Sequence, residues 1–459
     1  MSLTIQHAAK ALKTAEDLVK DLEHSDALKH EPQVVPICDP SVKRKMENIE
    51  NILRIVEISL KKAPKPSIRP IRTQRRVAIK VVSVMAGLLT FASFLSTAAA
   101  AGPVSFVSIG DWGGAGIESA SATLHEYNAY WRGWVERDRR NPQITSPKKT
   151  EMTVAKSFAR VSKTVNAQFI LNTGDNFYYY GVKSTEDPLW ENAFESVYAQ
   201  PSLMVKWYSV LGNHDYGFSP EAQVRYKSRN KDRWVLPSRY YSKRIQLGNT
   251  SGYATLIMLD TSPCITDYRN NDPTKWDPCG SDFPSPSDCK FHENIIKENC
   301  TLQYIWLNTL IPTIPKDDWV IAVGHHPADE IDVMDLTSLL QSADIDLYLN
   351  GHTHAMAQYS VDGNPSFVTT GGGCMVNVDE NAKQQKQLFK KATAKAKNEQ
   401  HSFSSIWHKV SAGFTVHTFS DDLLELTTQL VDGHGNPMHT FTVKKKKRAR
   451  NRPLISNDK

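Results

Sequence analysis

Residues 169–178 have the sequence FILNTGDNFY, an apolar run that stops at a glycine–aspartate pair followed by a tyrosine. β-Branched and aromatic residues that end at glycine are typical of a strand leading into a turn. The glycine before the acid lets the backbone turn tightly. We therefore predict that Asp175 and Tyr178 lie in a loop directly after a strand.

Four further apolar runs end in the same way. They are Val104–Ile109 before GDWGG (110–114), Trp207–Leu211 before GNHD (212–215), Trp319–Val323 before GHHP (324–327) and Ile345–Leu349 before GHTH (351–354). In open α/β sheets, binding sites form at the carboxyl ends of the strands. Each motif is weak alone, but five in one chain predict a single site built from five loops.

The residue types in these loops suit two metal ions. Aspartates and a tyrosinate are ligands for a hard trivalent ion, whereas histidines and an asparagine carbonyl suit a divalent one. The two histidines of GHTH are two residues apart, which can send each ring to a different ion. A carboxylate such as that of Asp175 can bridge two ions.

This ordered set of motifs resembles the calcineurin-like metallophosphoesterase superfamily, and within it the purple acid phosphatases of the tartrate-resistant type. The stretches GDNFYYYGV (174–182) and DPLWENAFESVYAQPSL (187–203) carry the closest likeness. The resemblance covers roughly residues 103–380. It implies an α/β fold, a layered α/β/β/α sandwich of two mixed sheets.

The resemblance also implies ligands and roles. Fe(III) would be held by Asp111, Tyr178 and His354, and a second, divalent ion (iron, zinc or manganese) by Asn213, His325 and His352, with Asp175 bridging both. Asn213 and His214 would be catalytic, His214 contacting the phosphate and protonating the leaving oxygen. The implied activity is acid phosphatase action on phosphate monoesters, small-molecule or protein, through attack of a metal-bound hydroxide.

The sequence departs from the family pattern at three places. GHHP replaces the usual GHYP, so His325 and His326 compete for one ligand position, and the place directly after glycine favours His325. Residues 328–335 lack a second active-site histidine, which leaves Asp329 or Glu330 to face the pocket. The loop 262–300 is long and rich in cysteine, and we take as a hypothesis that it overhangs the site and restrains activity.

Four cysteines, Cys264, Cys279, Cys289 and Cys300, fall in that loop. Three disulfide connectivities are possible, and the nested pairing is our working hypothesis; a zinc site is the competing interpretation. Cys374 is left over as a small buried apolar residue. Asn249 and Asn299 begin N-glycosylation triplets.

Residues 81–101 contain no charge and are long enough for the roughly 20 residues that span a bilayer. Basic residues precede them and none follows until Arg132, which predicts a type II signal anchor. A buried core helix and a cleaved signal are the alternatives. The predicted domains are a cytosolic polar helical tail (1–80), the anchor (81–101), the catalytic domain (102–443), extracellular or in an acidic lumen, and a flexible basic tail (444–459).

The net charge of +6, from 55 basic and 49 acidic residues, is small for 459 residues and lies in two local clusters. A nucleic-acid-binding protein would spread such charge over a face, so we expect no nucleic-acid partner. The sequence indicates no obligate protein partner. A phosphodiesterase or nucleotidase on the same scaffold, and a non-catalytic receptor module, are the competing functions.

Overall fold

The computed structural model describes residues 103–114, 147–229, 232–270, 272, 275–280, 286–374, 376 and 401–448. These residues belong to one compact unit that extends from Gly102 to Lys459. The predicted cytosolic tail and membrane anchor lie outside the described residues. Within the described ranges, no helix is both long and apolar enough to cross a membrane.

The strands of the described residues form two seven-stranded sheets. The first sheet contains β1 (Ser105–Ile109), β2 (Phe169–Asn172), β3 (Lys206–Ser209), β4 (Trp234–Val235), β12 (Gly413–Phe419), β13 (Glu425–Asp432) and β14 (Pro437–Lys444). The second contains β5 (Tyr241–Gln246), β6 (Tyr253–Met258), β7 (Trp319–Val323), β8 (Leu347–Asn350), β9 (Met356–Val361), β10 (Asn364–Thr370) and β11 (Phe403–Lys409).

Both sheets are mixed, as predicted. The first has the order β14-β13-β12-β1-β2-β3-β4, with β1 to β4 parallel and β12 antiparallel to β1. The second has the order β11-β9-β10-β8-β7-β6-β5, with β6, β7, β8 and β10 parallel. The five predicted strands are β1, β2, β3, β7 and β8, each displaced by no more than a few residues from the predicted bounds.

The α-helices of the described residues are α1 (Pro147–Thr164), α2 (Pro220–Arg225), α3 (Thr266–Arg269), α4 (Phe291–Lys297), α5 (Cys300–Leu310) and α6 (Leu336–Ser342). Shorter turns lie between these helices and the strands or between two strands: a π-helix (Trp190–Glu195) and four 3₁₀-helices (Pro201–Leu203, His214–Tyr216, Ser262–Cys264, Ile311–Thr313). Helix α6 begins where the side chain of Asp335 accepts a hydrogen bond from the Ser338 amide at 2.8 Å, which satisfies an otherwise unpaired donor.

Aromatic side chains fill the core on both faces of the first sheet. On one face, Phe158 of α1 packs against Phe414 of β12 and Trp207 of β3, with ring centroids 5.1 and 6.0 Å apart. On the other face, Phe419 contacts Trp319 of the second sheet at 5.2 Å. The first sheet is therefore covered by a helix on one side and by the second sheet on the other.

The chain stays attached to the domain beyond the predicted boundary at residue 444. The guanidinium of Arg448 pairs with the buried carboxylate of Asp346, and the Lys445 amide donates to the Leu424 carbonyl at 2.8 Å. Residues 449–459 of the predicted flexible tail lie outside the described residues.

Candidate metal centre

The loops that carry the five motifs follow the carboxyl ends of parallel strands. Strands β1, β2 and β3 are neighbours in the first sheet, and β7 and β8 are neighbours in the second. Loops after parallel neighbours emerge at the same edge of a sheet. The topology therefore explains why motifs far apart in sequence meet in one place.

Four of the predicted ligands have left-handed backbone conformations. Asp111, Asp175, His352 and His354 have φ angles of 56°, 49°, 72° and 49°. Non-glycine residues with positive φ are uncommon and concentrate at functional sites, where the surrounding structure holds them. Gly174, with φ of 91°, provides the turn that brings Asp175 back toward the site.

One set of side chains converges on the hydroxyl of Tyr178. Its Oη lies 3.2 Å from Oδ1 of Asp111, 3.1 Å from Oδ2 of Asp175 and 3.0 Å from Nε2 of His354. We call Asp111, Asp175, Tyr178 and His354 the tyrosine group.

A second set converges on the side-chain oxygen of Asn213. This Oδ1 lies 2.8 Å from Nε2 of His325 and 3.0 Å from Nδ1 of His352. The same Nε2 of His325 is 3.4 Å from Oδ2 of Asp175. We call Asp175, Asn213, His325 and His352 the asparagine group.

Asp175 is common to both groups through one oxygen. Its Oδ2 faces both Tyr178 and His325, while its Oδ1 accepts a hydrogen bond from the His214 amide at 2.9 Å. The two GHTH histidines separate as the sequence predicted, with His352 in the asparagine group and His354 in the tyrosine group. The structure thus brings all seven predicted ligands together in two sets that share a carboxylate.

The spacing of these atoms fits metal coordination. Donor atoms about 2.1 Å from one ion have neighbours roughly 3 Å apart in octahedral geometry. The separations of 2.8–3.5 Å within each group match that value. Two imidazole nitrogens also face the side-chain oxygen of Asn213, and a cation bound by all three atoms would stabilise this arrangement. The residues present therefore fit two ions.

The hydrogen bonds of His325 and His326 differ. Both rings lie near His352. The ring nitrogens of His326, however, contact Thr261 Oγ1 at 2.8 Å and Tyr268 Oη at 3.2 Å, outside the ligand groups. His325 contacts the Thr173 carbonyl through Nδ1, which leaves Nε2 facing Asn213. Of the two rings, it is that of His325 that contacts the asparagine group through Nε2.

Burial governs the ionisation of the tyrosine group. Loss of solvent, together with the carboxylates of Asp111 and Asp175, raises the pKa of the Tyr178 hydroxyl well above its ordinary value. Burial also lowers the pKa of His354 to about 3, so its imidazole is neutral and offers a lone pair. A trivalent cation would supply the opposing charge that a tyrosinate requires here.

The pKa values of Asp111 and Asp175 are shifted in opposite directions from the ordinary value of an aspartate. Burial and the charge of Asp175 raise the pKa of Asp111. Burial opposes ionisation of Asp175 as well, but His325, His214 and His352 outweigh it, and the pKa of Asp175 falls below its ordinary value. The carboxylate that is common to both groups therefore favours its ionised form.

His214 lies beside the shared carboxylate. Its Nδ1 is 2.8 Å from the Tyr179 carbonyl, and its Nε2 is 4.0 Å from Oδ2 of Asp175. The Nδ1 proton therefore donates to the carbonyl, and Nε2 faces the two groups. Burial lowers the pKa of this imidazole.

Glu330 is the residue of the segment 328–335 that reaches a ligand. Its carboxylate lies 3.2 Å from Nε2 of His352, on the side of the ring opposite Asn213. Burial lowers the pKa of His352, but the charge and hydrogen bond of Glu330 outweigh that effect, so the pKa lies above its ordinary value. The sequence left Asp329 and Glu330 as equal candidates because their side-chain directions depend on the fold.

Sequence reasoning gave no role to Asp215, which ties two motif loops together. Its carboxylate accepts hydrogen bonds from the amides of Gly212, Asn176 and Phe177 at 2.8, 3.0 and 3.2 Å. It also accepts from Nε2 of Gln223 at 2.8 Å. The sequence did contain one indication of a role for Asp215, since this residue directly follows the histidine of the GNHD motif.

The cysteine-rich loop is closed by two nested disulfides, Cys264–Cys300 and Cys279–Cys289. This confirms the working hypothesis among the three possible pairings, and Cys374 is free and buried as predicted. Disulfides of this kind indicate an oxidising extracellular or lumenal compartment. Trp276, inside the loop, packs against His214 with ring centroids 5.1 Å apart, so the loop does border the site.

Residues 106–356 match the family model for calcineurin-like phosphoesterases. The chain belongs to this family. Among curated relatives, it is 30% identical over 277 residues to the tartrate-resistant acid phosphatase type 5 of Sus scrofa, covering 58% of this chain and 69% of the relative. It is 29% identical over 284 residues to purple acid phosphatase 7 of Arabidopsis thaliana, covering 59% and 70%.

This phosphoesterase is therefore of the purple acid phosphatase type, as the motifs indicated. A solved structure of GAP50, the anchor in the inner membrane complex of Plasmodium, is similar with a TM-score of 0.51 and 22% identity. That similarity covers 76% of this chain and 90% of the other chain, and it supports the fold alone.

Proposed function

We propose that the protein is a binuclear-metal acid phosphatase that hydrolyses phosphate monoesters. The observation that carries the proposal is the shared oxygen of Asp175, which lies 3.1 Å from Tyr178 Oη and 3.4 Å from His325 Nε2. Two complete ligand sets joined by one carboxylate are the arrangement that a two-metal hydrolase requires. Both curated relatives named above are acid phosphatases.

The tyrosine group would hold Fe(III) and the asparagine group a divalent iron, zinc or manganese ion. When bound, such a pair neutralises charge on the phosphate oxygens and lowers the pKa of a water molecule.

The protein's own contribution to the reaction centres on Asn213 and His214. The amide group of Asn213 can donate to a phosphate oxygen while its carbonyl oxygen stays in the asparagine group. The hydrogen bond to the Tyr179 carbonyl fixes the His214 ring so that Nε2 faces the substrate. In the imidazolium form Nε2 carries a proton that it can deliver to the leaving oxygen as water adds to phosphorus and the ester P–O bond breaks, and the proton that water loses restores the imidazolium.

The placement of the enzyme in the cell is part of the same proposal. The disulfides belong to the predicted catalytic domain, residues 102–443, which would lie outside the cell or in an acidic lumen. Residues 81–101 would anchor it, with the tail 1–80 in the cytosol and the substrate a phosphorylated small molecule or protein. Glycosylation at Asn249 or Asn299 in a eukaryotic host would support this topology, whereas alkylation of Cys264 in intact cells would contradict it.

The proposal is tested with the full chain, purified with its metals. We expect hydrolysis of 4-nitrophenyl phosphate to exceed that of bis(4-nitrophenyl) phosphate. His214→Ala should lower kcat about 100-fold or more, since general acid catalysis contributes on that scale. His439→Ala is the matched control because His439 contacts Gln358 and Trp407, away from both ligand groups.

Other outcomes discriminate the competing functions. A preference for the diester or for nucleotides would favour a phosphodiesterase or nucleotidase. A folded protein that binds no metal and hydrolyses neither ester would favour a non-catalytic receptor module.

A further inference from the structure

Trp276 borders the candidate site but belongs to neither ligand group. It lies in the segment closed by the Cys264–Cys300 disulfide. Its ring meets that of His214 at 5.1 Å and an interplanar angle of 71°. The residue keeps 36% of its surface exposed, so its neighbours do not fully enclose it.

The position of this indole is fixed by its neighbours. Its ring contacts those of Phe291 at 5.4 Å and Tyr268 at 5.6 Å, and both of these residues are buried. The hydroxyl of Tyr268 in turn contacts Nε2 of His326 at 3.2 Å. Trp276, Tyr268 and Phe291 therefore form a cluster that we call the aromatic wall. All three residues lie in the segment closed by the Cys264–Cys300 disulfide.

The aromatic wall adjoins His214, the residue that would protonate the leaving group. On its other sides the His214 ring contacts Tyr178 at 4.6 Å and Tyr179 at 5.1 Å. Nε2 of His214 points toward Asp175. An alcohol that receives its proton from Nε2 would therefore leave alongside His214, whose ring Trp276 contacts.

The charges near the wall favour a neutral leaving group. The carboxylate of Glu330 lies 3.2 Å from His352, and it also contributes to raising the pKa of Tyr268 after the dominant effect of burial. Lys275, next to Trp276 in the chain, pairs with Asp267 at 3.2 Å. A leaving group with further phosphates would face carboxylate repulsion, whereas a flat apolar ring would gain stacking energy.

We propose that Trp276 is a specificity-determining residue that selects phosphate monoesters of aromatic alcohols. This inference rests on the proposed phosphatase function and names its substrate class. Aromatic pairs contribute enough beyond simple burial to change binding by about 2- to 12-fold. The effect should fall mainly on KM, because the stack forms in the ground state and persists in the transition state.

The kinetic test compares phenyl phosphate with glycerol 3-phosphate as substrates of the full-length, metal-loaded protein. Trp276→Leu, which keeps an apolar side chain, should lower the phenyl-to-glycerol ratio of kcat/KM by about 2- to 12-fold. Trp276→Phe should restore most of the ratio. Trp407→Leu is the matched control, since Trp407 stacks on His439 of β14. An unchanged ratio in Trp276→Leu would overturn the proposal.

A binding test separates this proposal from the proposed function. Phenylphosphonate and methylphosphonate cannot be hydrolysed, so calorimetric titration reports the aromatic preference even if the protein turns over no ester. We expect phenylphosphonate to bind more tightly to the wild type, and Trp276→Leu to remove the difference. Equal affinities in the wild type, or binding of neither compound, would refute the role of Trp276. Hydrolysis absent despite a Trp276-dependent preference would refute only the phosphatase function.

Discussion

Nε2 of His325 lies 2.8 Å from Oδ1 of Asn213, although the two residues are separated by more than a hundred positions in the sequence. This contact joins a loop of the first sheet to a loop of the second. The carboxyl ends of the parallel strands in the two sheets therefore contribute to one site, and the asparagine group depends on both sheets.

The first prediction concerns the two adjacent histidines of GHHP. His325→Ala should reduce the metal content from about two ions per chain to about one, because it removes a donor from the asparagine group. His326→Asn should retain about two ions, since His326 bonds to Thr261 and Tyr268 instead. Elemental analysis of the purified variants measures both. Loss of metal in His326→Asn with retention in His325→Ala would reverse the assignment.

The second prediction concerns Glu330, whose carboxylate contacts Nε2 of His352, the ring nitrogen that does not face Asn213. A carboxylate on the second nitrogen of a ligand histidine orients the ring and increases its basicity. Glu330→Gln should weaken binding of the divalent ion about 10- to 100-fold, the range observed for such outer partners. Metal-buffered titration measures the affinity. Asp329→Asn is the neighbouring control, and an equal effect of both variants would show that general charge, rather than the contact with His352, is responsible.

The third prediction concerns pH and the buried carboxyl of Asp260. Burial raises its pKa to about 7, despite Arg239 nearby and a hydrogen bond from Tyr216; Glu298 and Glu221 add to the increase. The pKa in the folded protein thus exceeds that in the unfolded chain, and between these values the folded state binds more protons. The free energy of unfolding should therefore fall as pH rises from about 4 to about 7.

Each pKa unit corresponds to about 1.4 kcal/mol, a difference that denaturant titration at two pH values resolves. Asp260→Asn removes the titration while keeping the side-chain shape. The variant should accordingly lose less stability than the wild type between pH 5 and pH 7. Equal losses in the two proteins would mean that Asp260 does not contribute to the pH dependence.

The sequence predicted those parts of the protein that depend on local pattern. Apolar runs ending at glycine located β1, β2, β3, β7 and β8, and the motifs after them contained every residue of the two ligand groups. The reason is physical, since a strand followed by a tight turn leaves a signal within about ten residues.

Features that depend on contacts between distant segments could not be predicted in the same way. The choice of Glu330 over Asp329 depends on where His352 lies, and the contact of Trp276 with His214 depends on how the cysteine-rich loop folds back. The nested disulfides were a working hypothesis among three possible pairings, because spacing does not determine pairing. The predicted membrane anchor lies outside the described residues and stays a prediction.

The most direct test of the account is the visible absorption spectrum of the purified, metal-loaded protein and its Tyr178→Phe variant. Tyr178 Oη lies within 3.0–3.2 Å of three other predicted ligand atoms, so a tyrosinate bound to Fe(III) should colour the protein purple. We predict a purple band in the wild type that disappears in Tyr178→Phe. A colourless wild type containing two metal ions per chain, or a band that survives the substitution, would contradict the proposed tyrosinate–iron centre.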